Sequence, residues 1–544
     1  MDLDPSRAEI SFTTPILLAI PVLVVAALLA SRLLAPQRDP REPPFIPHPV
    51  PYIGHLLTFL REGGDYFPRL YQRYHHGIFA IPVFSSRIYV LATPAWAQAM
   101  HKNFKTLSFN TLIVQAMKMV FDMDEASMNT ISRNPNGEDG TREGILLEMH
   151  DLMFTSFVQS IDEMNANFLK CWAPHINPLA THGKTETISL WYWLRHHFSI
   201  ASTDSLYGPQ NPLALNPGLE DDVWVFDDNI DKFFLPFPSL TLRKGYQARQ
   251  RMFDAFVKFA ENDGYKHASR IISVRAEVNY KHGISTRMVG YGETSMMFAV
   301  LINTVPVTFW LLSYLFADTT LLADVRAEIE ACISNTDVSK RIVNVTKLKT
   351  QCPLLNSAMR ETLRICATMN INRYVTVDTT LTNASEGESY LLKKGNLVMV
   401  GANVMHFEPD IFGTDPQRFD ARRFLPTLEK GKNDNASGEY TGKALDPAAA
   451  YRDGEGKVHG GAFRPFGGGN NICPGRHFAQ TEILTVVAMF VAGFDITAAD
   501  GGKYVPPPFQ ATKIIAGVVR PARDVEVRVR RRPGVEDVEW VCEM

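Results

Sequence analysis

Residues 463–479, Phe-Arg-Pro-Phe-Gly-Gly-Gly-Asn-Asn-Ile-Cys-Pro-Gly-Arg-His-Phe-Ala, constrain this chain more than any other stretch. Gly467, Gly468 and Gly469 in a row free the backbone from side-chain sterics, so the loop is able to pass close to a flat ligand. Cys473 follows, then Pro474 and Gly475, and then an apolar-periodic run from Phe478 to Phe490 that reads as a helix. Proline is favoured at a helix start, where its missing N–H would have had no partner. Cys473 is thereby placed at a helix N-terminus, where backbone N–H groups and the helix dipole stabilise a thiolate, the form of cysteine that binds metal. Two plainer readings compete. A Gly-rich loop before a helix cradles phosphate in some proteins, but no Lys-Ser or Lys-Thr follows here. A single cysteine is also, by default, a small buried hydrophobe.

The spacing Phe466-x-x-Gly469-x-x-x-Cys473-x-Gly475 resembles the heme-ligand loop of the cytochrome P-450 superfamily. The resemblance implies heme b as cofactor, Cys473 as the axial thiolate ligand of its iron, and Phe466, Gly469 and Gly475 as the loop residues that shape the cofactor site. Thiolate ligation of heme iron pushes electron density toward oxygen and favours O–O cleavage.

At 544 residues the chain exceeds the usual single-domain range, although large one-core enzymes reach that size. A hydrophobic content of 45% and a net charge of −3 describe an ordinary globular protein without a nucleic-acid footprint. The six cysteines lack CxxC spacing, so neither a zinc site nor a disulfide framework is indicated, and a reducing, cytosol-facing compartment fits.

Phe12 to Ala30 is an uncharged, mostly apolar run of 19 residues. As a helix it would extend roughly 28 Å, enough to cross a hydrocarbon core. Acidic Asp2, Asp4 and Glu9 precede it, whereas a cleaved signal peptide begins with a basic region. Arg32, Arg38 and Arg41 follow it and place the remainder on the cytoplasmic side. Residues 1–35 therefore read as a single-pass anchor in the lipid bilayer. The segment from Pro36 to Pro51 holds seven prolines, so 36–52 reads as a stiff, extended hinge. It is similar to the hinge of membrane-bound superfamily members, which implies an endoplasmic reticulum location with residues 53–544 as the catalytic domain facing the cytosol.

Strand-like runs occur at 78–83 and 88–92, after a short helix. Helical periodicity then dominates, at 143–160, 186–206, 246–279, 292–317, 320–334 and 354–368, with short β signals at 389–400 and near 511–529. The polar stretch 431–461 reads as a surface insertion. The predicted fold class is mainly α with a small β part, and the resemblance makes it the cytochrome P-450 fold.

Glu361-Thr-Leu-Arg364 puts an acid and a base on one helix face, a commonplace pair when seen alone. Followed by Arg423-Phe424 and the cysteine loop, it resembles the superfamily's Glu-Arg-Arg cluster, here Glu361, Arg364 and Arg423. Family members usually carry Arg or His two residues before the cysteine to meet a heme propionate, and this chain has Asn471. Arg373 is the expected guanidinium partner instead, since Arg binds carboxylates bidentately; His150 could serve similarly, although a lone helical His is more often merely half-buried.

In the expected central helix, most monooxygenases of this kind have an acid followed by Thr that relay protons during oxygen activation. Counting back from Asp318 puts Ile302 and Asn303 at those places, with Thr304 next and Pro306 bending the helix. Asn303-Thr-Val-Pro-Val-Thr-Phe-Trp310 resembles the cholesterol 7-alpha-hydroxylase and prostacyclin synthase branch. The first of these hydroxylates sterols and the second isomerises a peroxide without reductase. The pocket is expected from Ala299 on this helix, from Thr368, Met369, Asn370 and Ile371, from 233–240, and from Pro507-Pro-Phe509. These are mainly apolar with isolated amides, which suits a bulky small molecule such as a sterol, terpenoid or reduced polyketide, as in fungal-type secondary metabolism. Asn303 and Thr304 are the catalytic candidates. The leading reading is a monooxygenase fed by a separate NADPH–cytochrome P-450 reductase, and the alternative is an isomerase or dehydratase of a pre-oxidised substrate.

Overall fold

The structure, a computed structural model, describes residues 38–50, 53–235, 237–337, 339–368, 370–385, 387–426, 445–510 and 517–544. The anchor at 1–35 with its span at 12–30, residues 36, 37, 51 and 52 of the hinge, residues 431–444 of the insertion, 511–516 and Met369 lie outside the described residues.

A hairpin of β1 (Ile78–Val83) and β2 (Ser86–Leu91) is followed by α1 (Pro94–Lys102), which starts on proline. The long helices come next: α2 (Ile145–Ile176), α3 (Leu190–Tyr207), α4 (Arg243–Glu261), α5 (Thr286–Ala317) and α6 (Thr319–Glu330). A small hairpin, β3 (Ile333–Asp337) and β4 (Lys340–Asn344), precedes α7 (Pro353–Cys366), which runs on toward β5 (Asn370–Val375); β6 (Leu397–Gly401) comes later. Last come α8 (Arg476–Gly493), β7 (Phe494–Ala498), β8 (Glu526–Arg531) and β9 (Glu539–Glu543). The architecture is mainly helical with small sheets, as the periodicity predicts.

Helix α5 is apolar all round, and such a helix belongs in a core or a membrane. Among the described residues it alone is long and apolar enough to span a bilayer, with a mean hydropathy of 1.8, yet 72% of that window is buried in the protein. It packs on α3, α4, α7 and α8 and forms the axis of the molecule. Asp318 ends it and caps the next helix, accepting from the N–H groups of Thr320 and Leu321, both at 3.0 Å.

The largest sheet runs β1–β2–β6–β5, completed by Leu107–Ser108; β2 and β6 are parallel and the other pairs antiparallel. Strand β9 pairs parallel to β4, so the last residues return to the β3–β4 hairpin.

Several helix expectations are corrected: the one at 186–206 opens with a strand, Thr185–Ser189 paired with β8, before α3 starts at Leu190, and the one at 320–334 ends at Glu330 ahead of β3. The stretch 246–279 is two helices, because the chain turns at Asp263, which takes φ +55°, and at Gly264, where a Cβ would lie 2.4 Å from the Phe259 ring. The helix expected at 143–160 continues to Ile176, since no glycine occurs after Gly144 and no proline before Pro174 to end it.

The sequence has three acceptor patterns for N-glycosylation, at Asn344, Asn383 and Asn435, the last outside the described residues. Asn383 is 2% exposed, and its Oδ1 accepts from the Ser385 hydroxyl at 2.6 Å. Asn344 caps the helix Val345–Gln351, accepting from Lys347 N–H at 2.8 Å, and its amide donates to the Met544 carbonyl at 3.2 Å. The Asn383 amide is buried and the Asn344 amide, at a half-buried position, is engaged by the Met544 carbonyl; with the globular part expected on the cytosolic side, mass spectrometry of the cellular protein is expected to find none of the three modified.

Candidate active site

The cysteine loop is folded by its own backbone. Cys473 N–H donates to the Phe466 carbonyl at 2.9 Å, and Ile472 N–H to that of Gly469 at 3.2 Å. Gly467 and Gly469 take φ of +77° and +64°, which favour glycine. A Cβ on Gly468 or Gly469 would lie 2.9 or 2.7 Å from the His101 imidazole, so the ring of α1 packs against bare backbone. Burial pushes the Cys473 thiol up, opposed by the N–H groups of Gly475 and Arg476 and by the Arg476 charge. Protein surrounds the sulfur, yet Cys473 keeps accessible surface, so it faces an interior space. Asn471 lies half-buried in the short turn Gly469–Asn471, and His150 bonds through Nε2 to the Asn470 carbonyl at 3.0 Å.

Helix α5, neighbour of α8, has a matching bare stripe. Ala299 is exposed and Ile302 and Asn303 are partly so, in a helix whose other residues hereabouts are largely buried. The Thr304 hydroxyl is not on that stripe: it is 6% exposed and donates to the Val300 carbonyl at 2.9 Å. Asn303 is held by a close approach, since a Cβ on Gly517 would fall 2.0 Å from its Oδ1. Trp310 fixes that segment by donating from Nε1 to the Val519 carbonyl at 2.8 Å, and Val519 N–H donates to Cys366 at the end of α7 at 2.9 Å. Ala367 pairs with Val518, so the pocket candidates after α7 and Asn303 meet at one corner. There Thr368 Oγ1, Asn370 Oδ1 and Asn372 Oδ1 are buried without partners among the described residues, while Ile371 is 6% exposed in the sheet-side core. Phe509 packs edge-on against Trp310 at 4.5 Å. The expectation for 233–240 is corrected: Phe233 is buried, but Phe237 and Leu240 are 72% and 81% exposed, because this connection between helices turns its apolar side chains outward.

Beside the loop lie three basic groups with no acid. Arg373, held in β5 opposite Val398, and Arg464 are both buried, and burial alone brings each guanidinium down to about 10. Neither has a carboxylate within ion-pair distance among the described residues; Arg373 donates to the Asn372 carbonyl at 2.7 Å and Arg464 to that of Gly461 at 2.5 Å. His101 Nε2 has no partner among the described residues, and burial, then Arg464 and Arg373, drive the ring down to about 3. Buried, uncompensated cations are costly unless an anion joins them. A planar group with carboxylate arms and an iron for the cysteine fits this donor set, so the residues suit heme.

Glu361 accepts from Arg364 through Nε and Nη2, both at 2.7 Å, from Arg423 Nε at 3.1 Å and from Asp420 N–H at 3.0 Å. Arg364 also donates to the His406 carbonyl at 2.6 Å. His406 in turn donates from Nδ1 to the Arg364 carbonyl at 2.9 Å and accepts Arg464 N–H on Nε2 at 3.0 Å. Those partners require the neutral ring, consistent with burial and Arg364 holding it down at about 3. A continuous polar chain thus joins α7 to the cysteine loop. Sequence reasoning missed His406, Arg464 and His101. Arg464 was open to notice as a cation two residues before Phe466, whereas the histidines carry no local signal.

The thiol loop facing an interior space, backed by a buried Glu-Arg-Arg cluster, defines a heme-thiolate enzyme. The family model described as Cytochrome P450 matches residues 219–528, and the chain belongs to that family, as a cytochrome P-450 monooxygenase that uses a heme-thiolate centre. It is 28% identical to a "Cytochrome P450 monooxygenase" of Gibberella zeae, covering 99% of this chain and 98% of that one. It is 24% identical to the human 7-alpha-hydroxycholest-4-en-3-one 12-alpha-hydroxylase, over 95% of this chain and 99% of that protein. Its fold is similar to that of the retinoic-acid-bound cyanobacterial CYP120A1, with a TM-score of 0.64 and 17% identity over 90% of this chain and 99% of that chain.

Proposed function

We propose that this monooxygenase inserts oxygen into a bulky, sparsely oxygenated small molecule of sterol, terpenoid or reduced-polyketide type, with electrons from a separate NADPH reductase. The carrying observation is the bare stripe of Ala299, Ile302 and Asn303 in the protein interior, apolar except for one amide. The name of the human relative, a hydroxylase of a cholestane derivative, supports the substrate class. The apolar run at 12–30 and the exposed Phe237 and Leu240 support attachment to the endoplasmic reticulum membrane.

Heme, when bound, supplies the redox chemistry that cleaves dioxygen. Cys473 would hold its iron, and Arg373 and Arg464 would hold its propionates, with His101 Nε2 alongside. Replacing either arginine by glutamine removes a charge-assisted bond worth ~1.5–3 kcal/mol, so transfer of heme to excess apomyoglobin is expected to be about 10–100-fold faster. Unchanged transfer in both variants would remove the propionate role.

Ala299 and Ile302 shape the substrate face and exclude water. Asn303, pinned by Gly517, holds a water or a substrate oxygen where protons are needed, while Thr304 is tied into the helix. Asn303→Ala is expected to uncouple turnover: NADPH is consumed, hydrogen peroxide rises and product falls by about 10²-fold. Gly517→Ala should reproduce that phenotype by displacing the amide. Coupled turnover at the parent rate in Asn303→Ala would show the amide to be structural.

Ile302 at the acid position favours one second reading, an isomerase or dehydratase acting on a pre-oxidised substrate. Turnover with and without NADPH and reductase separates them. Product only with both supports the oxygenase, and product from an oxidised substrate without either supports the isomerase.

A further inference from the structure

Two of the six cysteines touch each other. The Sγ atoms of Cys332 and Cys352 are 3.3 Å apart, and the residues are 1% and 0% exposed. Cys332 comes just after α6, and Cys352 is the residue before Pro353, the first of α7. Between them run the β3–β4 hairpin and the short helix Val345–Gln351.

The backbone around the pair is fixed from both sides. The Glu328 carboxylate of α6 caps α7, accepting from the N–H groups of Leu354 and Leu355 at 2.9 and 3.0 Å. The Cys352 thiol also points to the Glu328 carbonyl at 3.4 Å, and Asn344 N–H donates to the Cys332 carbonyl at 3.3 Å. The two sulfurs are therefore neighbours because two helix ends are docked, and joining them needs little movement of either helix.

We propose that Cys332 and Cys352 form a redox-active dithiol, a modification site that hydrogen peroxide closes to a disulfide, stapling α6 to the helix that carries Glu361 and Arg364. One thiolate attacks the O–O bond of the peroxide and becomes a sulfenic acid, and the first water leaves with the transferred proton. The second thiol attacks that sulfur, the S–S bond forms and a second water leaves. Two thiols give up two electrons and two protons, and the peroxide is reduced to two waters. Burial restricts the pair to small oxidants and shields the closed bond from bulky thiols. The closed loop of about 20 residues also limits the unfolded chain, so the oxidised form resists unfolding better.

The test is a peptide map of the heme-loaded full chain. The protein is treated with hydrogen peroxide, or with diamide as a thiol-specific oxidant, then denatured, alkylated and digested with trypsin without reduction. The sequence places the two cysteines in tryptic peptides 327–340 and 350–360. These are expected as one cross-linked species, two hydrogens lighter than their sum, rising with oxidant and lost on reduction. The Soret band of the oxidised protein should survive to higher urea than that of the reduced protein. That difference should vanish in Cys332→Ser and Cys352→Ser; if those variants do not fold, the parent map still decides. Both peptides recovered fully alkylated after hydrogen peroxide would overturn the proposal, as would cross-linking of either cysteine to a different partner.

Discussion

Cys473→Ala is expected to lose both the thiolate spectrum and all turnover. Of the six cysteines Cys473 alone is exposed, and no other cysteine lies in the loop. The Gly475 and Arg476 N–H groups favour its anionic form, but burial pushes the free thiol up, so the apoprotein holds it protonated at neutral pH. Metal binding must then displace that proton, which makes heme uptake pH-dependent and faster as pH rises toward the thiol's range. In the parent protein the reduced carbon monoxide complex should absorb at the red-shifted position diagnostic of thiolate ligation. In Cys473→Ala that band should be absent at every pH, and product formation should fall below detection. A retained band would mean a different axial ligand and would end the assignment.

The second large effect is expected at Glu361. Its carboxylate and the Arg364 guanidinium are both fully buried, and the side chain of Arg423 is 12% exposed. Removing the acid leaves two largely desolvated cations facing each other, a loss of about 3–5 kcal/mol for a buried pair broken on one side. The loss should reach the cofactor, because Arg364 holds His406 and His406 holds the backbone of Arg464 at the start of the cysteine loop. Glu361→Ala should therefore unfold at markedly lower urea and purify with little heme, read by circular dichroism and by the ratio of Soret to protein absorbance. Glu361→Gln, which keeps the shape and loses the charge, should fall between. The control is Arg422→Ala, whose ion pair with Asp324 joins side chains 54% and 46% exposed, and which should cost under about 1 kcal/mol. Equal midpoints for Glu361→Ala and the control would show that the cluster does not hold the loop.

The exposed Phe237 and Leu240 show where reading a pocket from composition fails. Phe233 to Leu240 look like lining because they are aromatic and aliphatic, and burial divides them by direction alone. The same limit applies at Thr304. A threonine beside the expected proton-handling position looks chemical in sequence, and only the helix geometry shows its hydroxyl returned to the Val300 carbonyl.

The sequence by itself determined whatever is written in short-range spacing. A thiol just ahead of a helix, an acid and a base three residues apart, and apolar residues at helical period are local patterns set by backbone geometry, and they located Cys473, Glu361 with Arg364, and α5, although α8 starts at Arg476 with Pro474 outside it. The tertiary structure alone decided which distant groups meet. Arg373 joins Arg464 and His101 because β5 pairs beside β6 while α1 packs on the glycine loop. Gly517 meets Asn303 because Trp310 bonds the backbone of Val519. Cys332 meets Cys352 because α6 caps α7. Each of these depends on long-range docking of elements, where the free energy comes from surfaces buried between segments remote in the chain, and no local period records which surfaces those will be.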